Sequence, residues 1–532
     1  MSATNDPPSS PASVESPPIA PTAVVSDWAE EPATTAEEPA TTAEEPATTA
    51  EEPAAAPPAD VPPADVLQPR TQESWLPFGA AASGKHAFDP RASGERRGKE
   101  LSTRLVVCTL MMVLSFVMVL WNLQDSSREN ANTGSRYATI QALVDHGTFW
   151  IDNTHYVGTI DKYKVGEHYI SSKPPMLSTL GAGCYWLYQA ITGKGIGKWE
   201  GGVVRFVSLC TGGLFHVVFM VFFYRLSVLL LKREVAILIA MAGACFAYLG
   251  VAYATAINNH SPAAALAVCG LYYACAIRHG TEKKLWHWPV AGFVLGLLPT
   301  IDLPSLAISG VIGLYLLAHD WKKTLIWFVP AALPPLLVHL ALCYQISGSF
   351  RPFYLNSELK QFKGFHFRNP GDIDGLREPK HIYAFNVLFG HHGVFSMTPL
   401  YLFGLWELGR SLWRRVWLRE SLLTLAALCA FFGFYIFRSR NYGGWCVGMR
   451  WLVPVMPLLL LYFGLWIDRV RLSRLLWPVV LAAFLVSGFN VQDGLTSPFQ
   501  FSVWHNWLES APNRNRVGKV FNVRVPRTRA PR

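Results

Sequence analysis

The sequence predicts an all-α, polytopic membrane protein with about eleven transmembrane helices, and three observations support this prediction. Of the 532 residues, 51% are hydrophobic and 16% are charged, whereas a water-soluble domain carries about 25% charged residues. The mean hydropathy is +0.22, and the chain contains 19 tryptophans. Its basic residues alternate with long apolar runs, so the positive charge indicates membrane topology and not nucleic-acid binding.

The first 84 residues differ from the rest of the chain and predict a disordered acidic tail. They contain 14 Asp and Glu and one basic residue, which leaves 23 acidic and 45 basic residues for 85–532. The heptapeptide Glu-Glu-Pro-Ala-Thr-Thr-Ala occurs three times from Glu30 to Ala50, and its prolines exclude a helix. Such a composition buries too little apolar surface to offset the entropy of ordering. We expect a solvated spacer, with an interaction tail as the alternative.

Eleven apolar stretches predict the membrane helices of the second domain, 85–490. The first follows five basic residues and no signal peptide precedes it, so the positive-inside rule places the amino terminus in the cytoplasm. Alternate connections are basic, as at Lys322 and Lys323, whereas the turns near Asn258 and Asp302 contain no Lys or Arg. The stretches are 105–123, 202–224, 235–254, 261–277, 288–303, 304–319, 324–345, 393–409, 420–437, 451–467 and 475–490.

This topology predicts a multi-pass protein of the cell membrane, which we expect to be a bacterial inner membrane. It leaves two large loops on the outer face, 124–201 and 346–392. The basic tail 491–532 is also placed outside, which opposes the positive-inside rule, although terminal segments weigh less in that rule. Chemistry is expected where the two loops meet the membrane.

The first outer loop contains three recognisable pieces. Residues 135–146 place Tyr137 and Ile140 on one face of a helix that is expected to lie flat on the membrane. Residues 161–172 alternate around a glycine, which predicts a small hairpin ending in Lys173-Pro174-Pro175. The apolar segment 175–191 is short and would reverse all later loops if it spanned, so it is expected to lie in the outer interface.

The order of these pieces resembles one superfamily of membrane enzymes. Three later motifs resemble its bacterial members: Asn258-Asn-His-Ser-Pro262, Gly390-His-His-Gly-Val-Phe-Ser-Met-Thr-Pro399 and Asn441-Tyr-Gly-Gly-Trp-Cys-Val-Gly-Met-Arg-Trp451. Over residues 100–490 the chain resembles the polyprenyl-phosphate-sugar-dependent glycosyltransferases of the C-type membrane fold. That superfamily includes the protein O-mannosyltransferases and the lipid A aminoarabinose transferases. The resemblance implies transfer of a sugar from a polyprenyl-phosphate donor to a lipid, glycan or protein acceptor at the outer face.

The sequence departs from the superfamily at the expected catalytic base. Many relatives have an acidic pair just before the Arg-Tyr of the first loop, where this chain has Thr133 and Gly134. Relatives often have Asp before Lys-Pro-Pro, where this chain has Ser172. Either another acid has taken over the role, or the chain is a non-catalytic relative. A multi-pass transporter is the third hypothesis, although we find no inverted repeat and few charges within the spans.

Two acids and two cations are the main candidates for chemistry. A hydroxyl acceptor needs a base, and Asp161 in the predicted hairpin is the first choice, followed by Asp152. A departing lipid phosphate needs cationic groups. Lys173 lies where headgroups are expected, and Arg450 stands at the outer end of a span, where a guanidinium binds phosphate bidentately. The alternatives are a solvated acid, a snorkelling lysine and a helix-anchoring arginine.

Four further residues are weaker candidates. His391 and His392 lie at the end of the second outer loop, where they would position an acceptor or bind a metal. Neighbouring positions on a helix point in different directions, so a site using both is not expected. Asn259 stands at a tight turn that helix capping explains. Asp302 is an acid in a nearly uncharged stretch, which indicates either function or an N-cap.

Metal dependence is open at this stage, and a divalent cation is possible but not required. The nine cysteines contain no CxxC pair and no Cys/His cluster at zinc spacing, which argues against a disulfide scaffold and against a sequence-encoded zinc motif.

Overall fold

The structure is a computed structural model that describes residues 90–125, 130–197, 200–281, 284–356, 358–360, 378–470 and 473–510. The predicted disordered tail 1–84 lies outside these residues. So do residues 361–377 of the second outer loop and residues 511–532 of the basic tail.

The described residues are mainly helical, with one small hairpin. In the first half of the chain the elements are α1 (Pro90–Trp121), α2 (Ala131–Asp145), β1 (Lys162–Val165), β2 (His168–Ser171), α3 (Pro175–Thr192), α4 (Glu200–Ser208), α5 (Leu214–Leu230), α6 (Glu234–Phe246), α7 (Gly250–Tyr253) and α8 (His260–His279). They continue as α9 (His287–Ile301), α10 (Leu306–Leu317), α11 (Trp321–Lys323), α12 (Val329–Ser347), α13 (Lys380–Leu388), α14 (Val394–Met397), α15 (Leu400–Trp413), α16 (Leu418–Arg438), α17 (Met456–Arg469), α18 (Leu476–Thr496) and α19 (Val503–Glu509).

Each of the eleven predicted apolar stretches coincides with one or more of these helices, which confirms the all-α polytopic membrane fold. Within the described residues, six helical segments are long and apolar enough to cross a membrane, by length and composition. Three shorter apolar helices accompany them. The six segments are Thr103–Trp121, Gly201–Leu230, His260–His279, Trp321–Ser347, Leu418–Arg438 and Leu476–Thr496.

The helices differ in how far they are enclosed by protein. In α8, 94% of the apolar window is buried, whereas in α1 the share is 17% and Leu110 and Leu114 are more than half exposed. Because lipid is as apolar as leucine, such exposure is expected of a helix that faces the bilayer. Helix α8 therefore lies inside the bundle, enclosed by protein along most of its length.

Close helix packing depends on small residues. A Cβ atom at Gly292 or Gly296 of α9 would lie 2.1 Å from the Phe328 carbonyl oxygen or 2.3 Å from the Ala332 carbonyl oxygen. The two glycines are four residues apart and therefore lie on one face of the helix. They allow α9 to approach α12 and the turn before it at backbone distance, as small residues do between membrane helices.

The first outer loop has the predicted pieces in the predicted order. Strands β1 and β2 pair antiparallel, with Tyr163 opposite Ile170, and Gly166 has the positive φ of 58° that the turn requires. The following helix α3 is not among the six segments suited to span, and Trp186 and Ile191 are 63% and 71% exposed. An interfacial position for α3 stays a prediction.

Helix α2 differs from the amphipathic surface helix that was predicted. Every residue from Asn132 to Ala142 is buried, including its polar ones. The reason is that protein covers it on several sides. Helix α3 approaches through Gly181 and Ile140, and the hairpin approaches through Ser135. The polar residues of α2 are therefore available for interactions inside the protein and not with lipid headgroups.

Candidate functional site

Five charged side chains from four separate segments interact within the described part of the chain. We call Arg136, Asp161, Lys173, Asp302 and Arg450 the charged centre. Its shortest contact is an ion pair of 2.7 Å between the Lys173 Nζ atom and the Asp161 carboxylate. These two side chains are 18% and 15% exposed. The structure thus brings together the first-choice acid and the first-choice phosphate contact of the sequence analysis.

The hairpin holds this ion pair against α2. The Ser135 hydroxyl donates to the Asp161 carbonyl oxygen at 2.6 Å and lies 2.6 Å from the Ser171 hydroxyl. The Ser172 amide also donates to the Asp161 carbonyl oxygen, and the Lys173 amide donates to the Ser171 hydroxyl. Backbone on both sides of the hairpin is therefore fixed, and the two charged side chains are set opposite each other.

Arg136 connects α2 to the motif at the start of α8. Its guanidinium donates to the Asn132 side chain and, at 2.7 Å, to the Asn259 side-chain oxygen. Asn259 in turn donates to the Asp302 carboxylate at 2.5 Å. The side chain of Asn259 therefore does not cap α8, contrary to the interpretation from the sequence. That role belongs to Asn258, whose side-chain oxygen accepts from the amides of residues 260 and 261.

Asp302 is an acceptor within the site and not a helix cap. Its carboxylate accepts from the Ser305 hydroxyl at 2.5 Å, and one of its oxygens lies 3.5 Å from Nδ1 of His260. The Asp302 and His260 side chains are 2% and 4% exposed. The Asp302 side chain caps no backbone amide, which the N-cap interpretation requires, and a functional role for this buried acid stays a prediction.

A glycine-rich loop positions Arg450. The Asn441 side-chain oxygen accepts from the amides of Gly443 and Gly444, which have φ values of 95° and 75° that favour glycine. A Cβ atom at Gly443 would lie 3.1 Å from the Arg450 Nε atom. Glycine at this position therefore leaves room for the guanidinium, whose carbon lies 5.5 Å from the centre of the Phe499 ring.

The charged centre has an excess of positive charge. Three cations face two carboxylates, and the Nε atoms of both Arg136 and Arg450 are buried without a hydrogen-bond partner among the described residues. Burial, with the nearby charge of Arg450, lowers the pKa of Arg136 to about 9, which leaves it protonated at neutral pH. Unpaired buried donors and uncompensated positive charge favour binding of an anion.

The pKa values of the ion pair follow from its surroundings. Burial raises the pKa of Asp161, but Lys173, Arg450 and Arg136 outweigh burial, so this pKa lies below its ordinary value. Burial and the same two arginines lower the pKa of Lys173, against the opposing effect of Asp161. Asp161 and Lys173 form an ion pair. Because its pKa is lowered, the Asp161 carboxylate is a weak base as long as the Lys173 ammonium remains its counter-ion.

The donor set of the charged centre does not suit a divalent cation. Each carboxylate already has its own partners, Lys173 for Asp161 and Asn259 with Ser305 for Asp302. Three neighbouring cations would also repel a metal ion. The net positive charge of the charged centre therefore suits an anionic ligand better than a metal ion.

Asp152, the second-choice acid, lies apart from this network. Its carboxylate accepts from the Tyr169 amide at 3.1 Å and lies 3.2 Å from Nδ1 of His168, so it braces strand β2. Two other acids of the loop are also engaged elsewhere, Asp145 with Tyr185 and Asp125 with Arg205.

The adjacent histidines of the second outer loop lie in a turn and not in a helix. The turn separates α13 from α14, and it brings Nδ1 of His391 to 2.5 Å from Nδ1 of His392. The expectation that the two rings diverge is therefore wrong. A third ring, His505 of α19, joins them, and we call these three residues the histidine cluster. Burial lowers the pKa of His391 to about 3 and that of His505 to about 4.

Sequence reasoning missed three residues of these sites. Arg136 was part of the Arg-Tyr pattern but was not named as a ligand, and its internal position follows from the burial of α2. His260 belongs to the motif Asn258–Pro262 but was not named as a candidate residue. His505 belongs to the basic tail, where no local pattern indicates contact with a turn more than a hundred residues earlier.

Comparison with known proteins gives structural matches only. No family model matches the sequence, and no curated protein matches it. The chain is similar to ArnT from Cupriavidus metallidurans in the apo state, with 17% identity and a TM-score of 0.48 over 72% of this chain and 62% of that one. It therefore spans less than two thirds of that structure's length.

Two further similar structures were solved with lipid phosphates. ArnT from Cupriavidus metallidurans bound to undecaprenyl phosphate matches with 14% identity and a TM-score of 0.41, over 78% of this chain and 79% of that one. Archaeal oligosaccharyltransferase AglB from Archaeoglobus fulgidus, in complex with an inhibitory peptide and a dolichol-phosphate, matches with 13% identity and a TM-score of 0.44 over 81% and 61%.

Proposed function

We propose that the protein is a membrane glycosyltransferase that moves a sugar from a polyprenyl-phosphate donor to an acceptor hydroxyl at the outer face. The observation that carries this proposal is the charged centre, in which two buried arginines with unpaired Nε atoms flank the Asp161–Lys173 ion pair. Such a centre suits a phosphate group next to a carboxylate. The donor class is taken from the resemblance of the motif order.

The reaction would break the bond between the sugar C1 atom and the phosphate oxygen and form a bond from C1 to the acceptor oxygen. The leaving polyprenyl phosphate gains negative charge, which Lys173 and Arg450 would stabilise. The acceptor proton would pass to a carboxylate. Because the incoming phosphate competes for the Lys173 ammonium, Asp161 would lose its counter-ion, and its pKa would rise toward the ordinary value.

The adjoining helix supports entry of a lipid donor. Lys173 is separated by Pro174 from the start of α3, a helix whose exposed side chains include Trp186 and Ile191. A helix with a large apolar exposure suits the boundary between headgroups and acyl chains. A polyprenyl chain would lie along such a surface while its phosphate reaches the charged centre.

A second base for the same reaction is offered by Asp302 and His260. The carboxylate lies within 3.5 Å of the imidazole, and Asn259 connects this pair to Arg136. A carboxylate beside an imidazole orients the ring and supports its action as a base. We retain Asp161 as the first choice because it adjoins the proposed phosphate contact directly.

The proposal is tested with purified protein in liposomes that contain a panel of radiolabelled polyprenyl-phosphate sugars. The expected result is release of the polyprenyl phosphate together with labelled product or, without an acceptor, slow hydrolysis. Loss of both in an Arg450→Gln variant would tie the reaction to this site. Wild-type protein that binds the donors but never releases sugar would support the non-catalytic relative. Accumulation of an unchanged solute inside the liposomes would support the transporter.

A further inference from the structure

We infer that the histidine cluster is a zinc-binding site, separate from the proposed transferase centre. One ring nitrogen from each of His391, His392 and His505 lies within 4.8 Å of the other two. Among the described residues, these three form a group of possible metal ligands that contains no acid and no cysteine. Zinc is commonly bound by three histidines, with water at the fourth position.

Two buried nitrogens of the cluster make no well-aligned hydrogen bond, although the Cys446 backbone lies near His392 and the Asn506 side chain lies near His505. Nε2 of His392 and Nδ1 of His505 are buried and have no hydrogen-bond partner among the described residues. An unpaired buried nitrogen costs free energy, which a metal ligand bond would recover. The His392 residue is 1% exposed, so solvent does not satisfy this nitrogen.

The rings are held in place by aromatic neighbours. The Tyr442 ring stacks on His392 at a centroid distance of 5.0 Å and meets the edge of His391 at 4.6 Å. The Phe501 ring stacks on His505 at 4.0 Å. The Trp504 indole donates to the Gly390 carbonyl oxygen at 2.9 Å, which joins α19 to the histidine turn. Fixed rings lose little entropy when they bind an ion.

The histidine side chains must rotate before they can bind one zinc ion. Zinc lies about 2.0–2.1 Å from histidine nitrogens, so two nitrogen ligands of a tetrahedral zinc ion are roughly 3.3 Å apart. The Nδ1 atoms of His391 and His392 are 2.5 Å apart, which is closer than two ligands of one ion, and the candidate ligand atoms of the three residues lie within 4.8 Å of one another. Coordination therefore requires rotation of the side chains, which for His392 would present the unpaired Nε2 atom to the ion. Imidazole nitrogens without carboxylates favour zinc over magnesium or calcium.

The metal would connect two distant segments. His391 and His392 end the second outer loop, and His505 lies in the helix after the last long apolar segment. Zinc would therefore cross-link α19 to the histidine turn and fix Tyr442, which begins the glycine-rich loop. With three protein ligands, the fourth position would be open and would hold water.

The test measures zinc in full-length protein that is purified with an affinity tag free of histidine. The protein is stripped with a chelator, exposed to zinc and passed through a desalting column, and its metal content is measured by mass spectrometry. About one zinc per chain is expected for the wild type. The same content is expected for the control variant His381→Ala, because His381 is an exposed residue of α13 outside the histidine cluster. His392→Ala and His505→Ala are each expected to lose most of it.

Cobalt provides a second readout that does not depend on the variants. In stripped wild-type protein, cobalt bound at three imidazoles is expected to give the visible absorption of a four-coordinate ion, and zinc should displace it. Failure of wild-type protein to retain zinc, or retention of the full zinc content by His392→Ala together with His505→Ala, overturns the inference. Neither measurement involves sugar transfer, so the result is independent of the proposed function.

Discussion

The charged centre and the histidine cluster are both buried and polar, yet their chemistry is opposite. The charged centre combines ionised groups of both signs and has more cations than anions. The histidine cluster combines three rings whose pKa values are lowered by burial, so it is neutral near pH 7. The first therefore suits an anionic ligand, whereas the second offers lone pairs to a cation.

This difference shows that burial alone does not indicate function. Arg136 and His392 are each 1% exposed, but the first retains its charge through polar partners and the second sheds its charge. What distinguishes the sites is the partner that each side chain meets. The following predictions test that distinction, from the largest expected effect to the smallest.

The largest expected effect concerns membrane sidedness, which should be the same for the two sites and opposite for the connection at Lys322. In a background without the nine native cysteines, Glu167→Cys of the hairpin and Asn506→Cys of α19 should react with a membrane-impermeant maleimide in intact cells. Lys322→Cys should react only after permeabilisation, because basic connections stay in the cytoplasm. All three residues are exposed. Reaction at residue 506 only after permeabilisation would place the two sites on opposite faces.

Asp161→Asn keeps the shape of the side chain and removes its charge. A positioned base contributes about 10²–10⁴-fold to a rate, so sugar transfer should fall by that factor while expression and membrane insertion stay normal. Rates are measured with saturating labelled donor. Asp152→Asn is the matched control, since its carboxylate braces strand β2. A wild-type rate in Asp161→Asn together with a loss in Asp302→Asn would move the base to the Asp302–His260 pair.

Lys173→Gln should mainly weaken use of the lipid donor. A hydrogen bond to a charged group contributes about 1.5–3 kcal/mol, so KM for the donor should rise roughly 10- to 150-fold with a smaller change in kcat. Lys164→Gln is the control, because that lysine pairs with the exposed Glu167 on the same hairpin. An unchanged KM for Lys173→Gln would show that Lys173 serves only as the counter-ion of Asp161.

The smallest effect concerns stability at low pH. The pKa of Asp161 lies below its ordinary value of 3.8, so its carboxylate contributes stability that is complete above pH 3.8 and is lost as the pH falls through the lowered pKa. Melting temperatures of wild type and Asp161→Asn, measured from about pH 6 to about pH 3, should converge by a few degrees at the acid end. A constant difference would mean that the ion pair does not titrate in this range.

The fold was largely predictable because apolar composition determines where membrane helices form. The hairpin was also predictable, because its signals are local in the sequence: Gly166 allows the turn, and the alternation of residues around it indicates the two strands. The surface exposure expected for α2 was wrong, because periodicity on one face does not reveal what covers the other faces. Packing against α3 and the hairpin buried residues such as Ser135 and Arg136.

The candidate site was predictable only where its members are close in sequence. Asp161 and Lys173 flank one hairpin, whose register pairs Lys162 with Ser171 and so brings these two residues close together. The link from Arg136 through Asn259 to Asp302 joins three segments, and only helix packing brings them together. These three polar residues are evident in the sequence, but the hydrogen bonds between them are not.

The glycine-rich loop after α16 touches both sites. Tyr442 packs against the histidine rings, and Gly443, next in the chain, lies against the Arg450 guanidinium. A shift of Tyr442 on zinc binding would therefore act, through one peptide bond, on the packing of Arg450, the proposed phosphate contact. If zinc in this way changes the affinity for a lipid phosphate, thermodynamic linkage requires that the lipid phosphate change the affinity for zinc by the same factor.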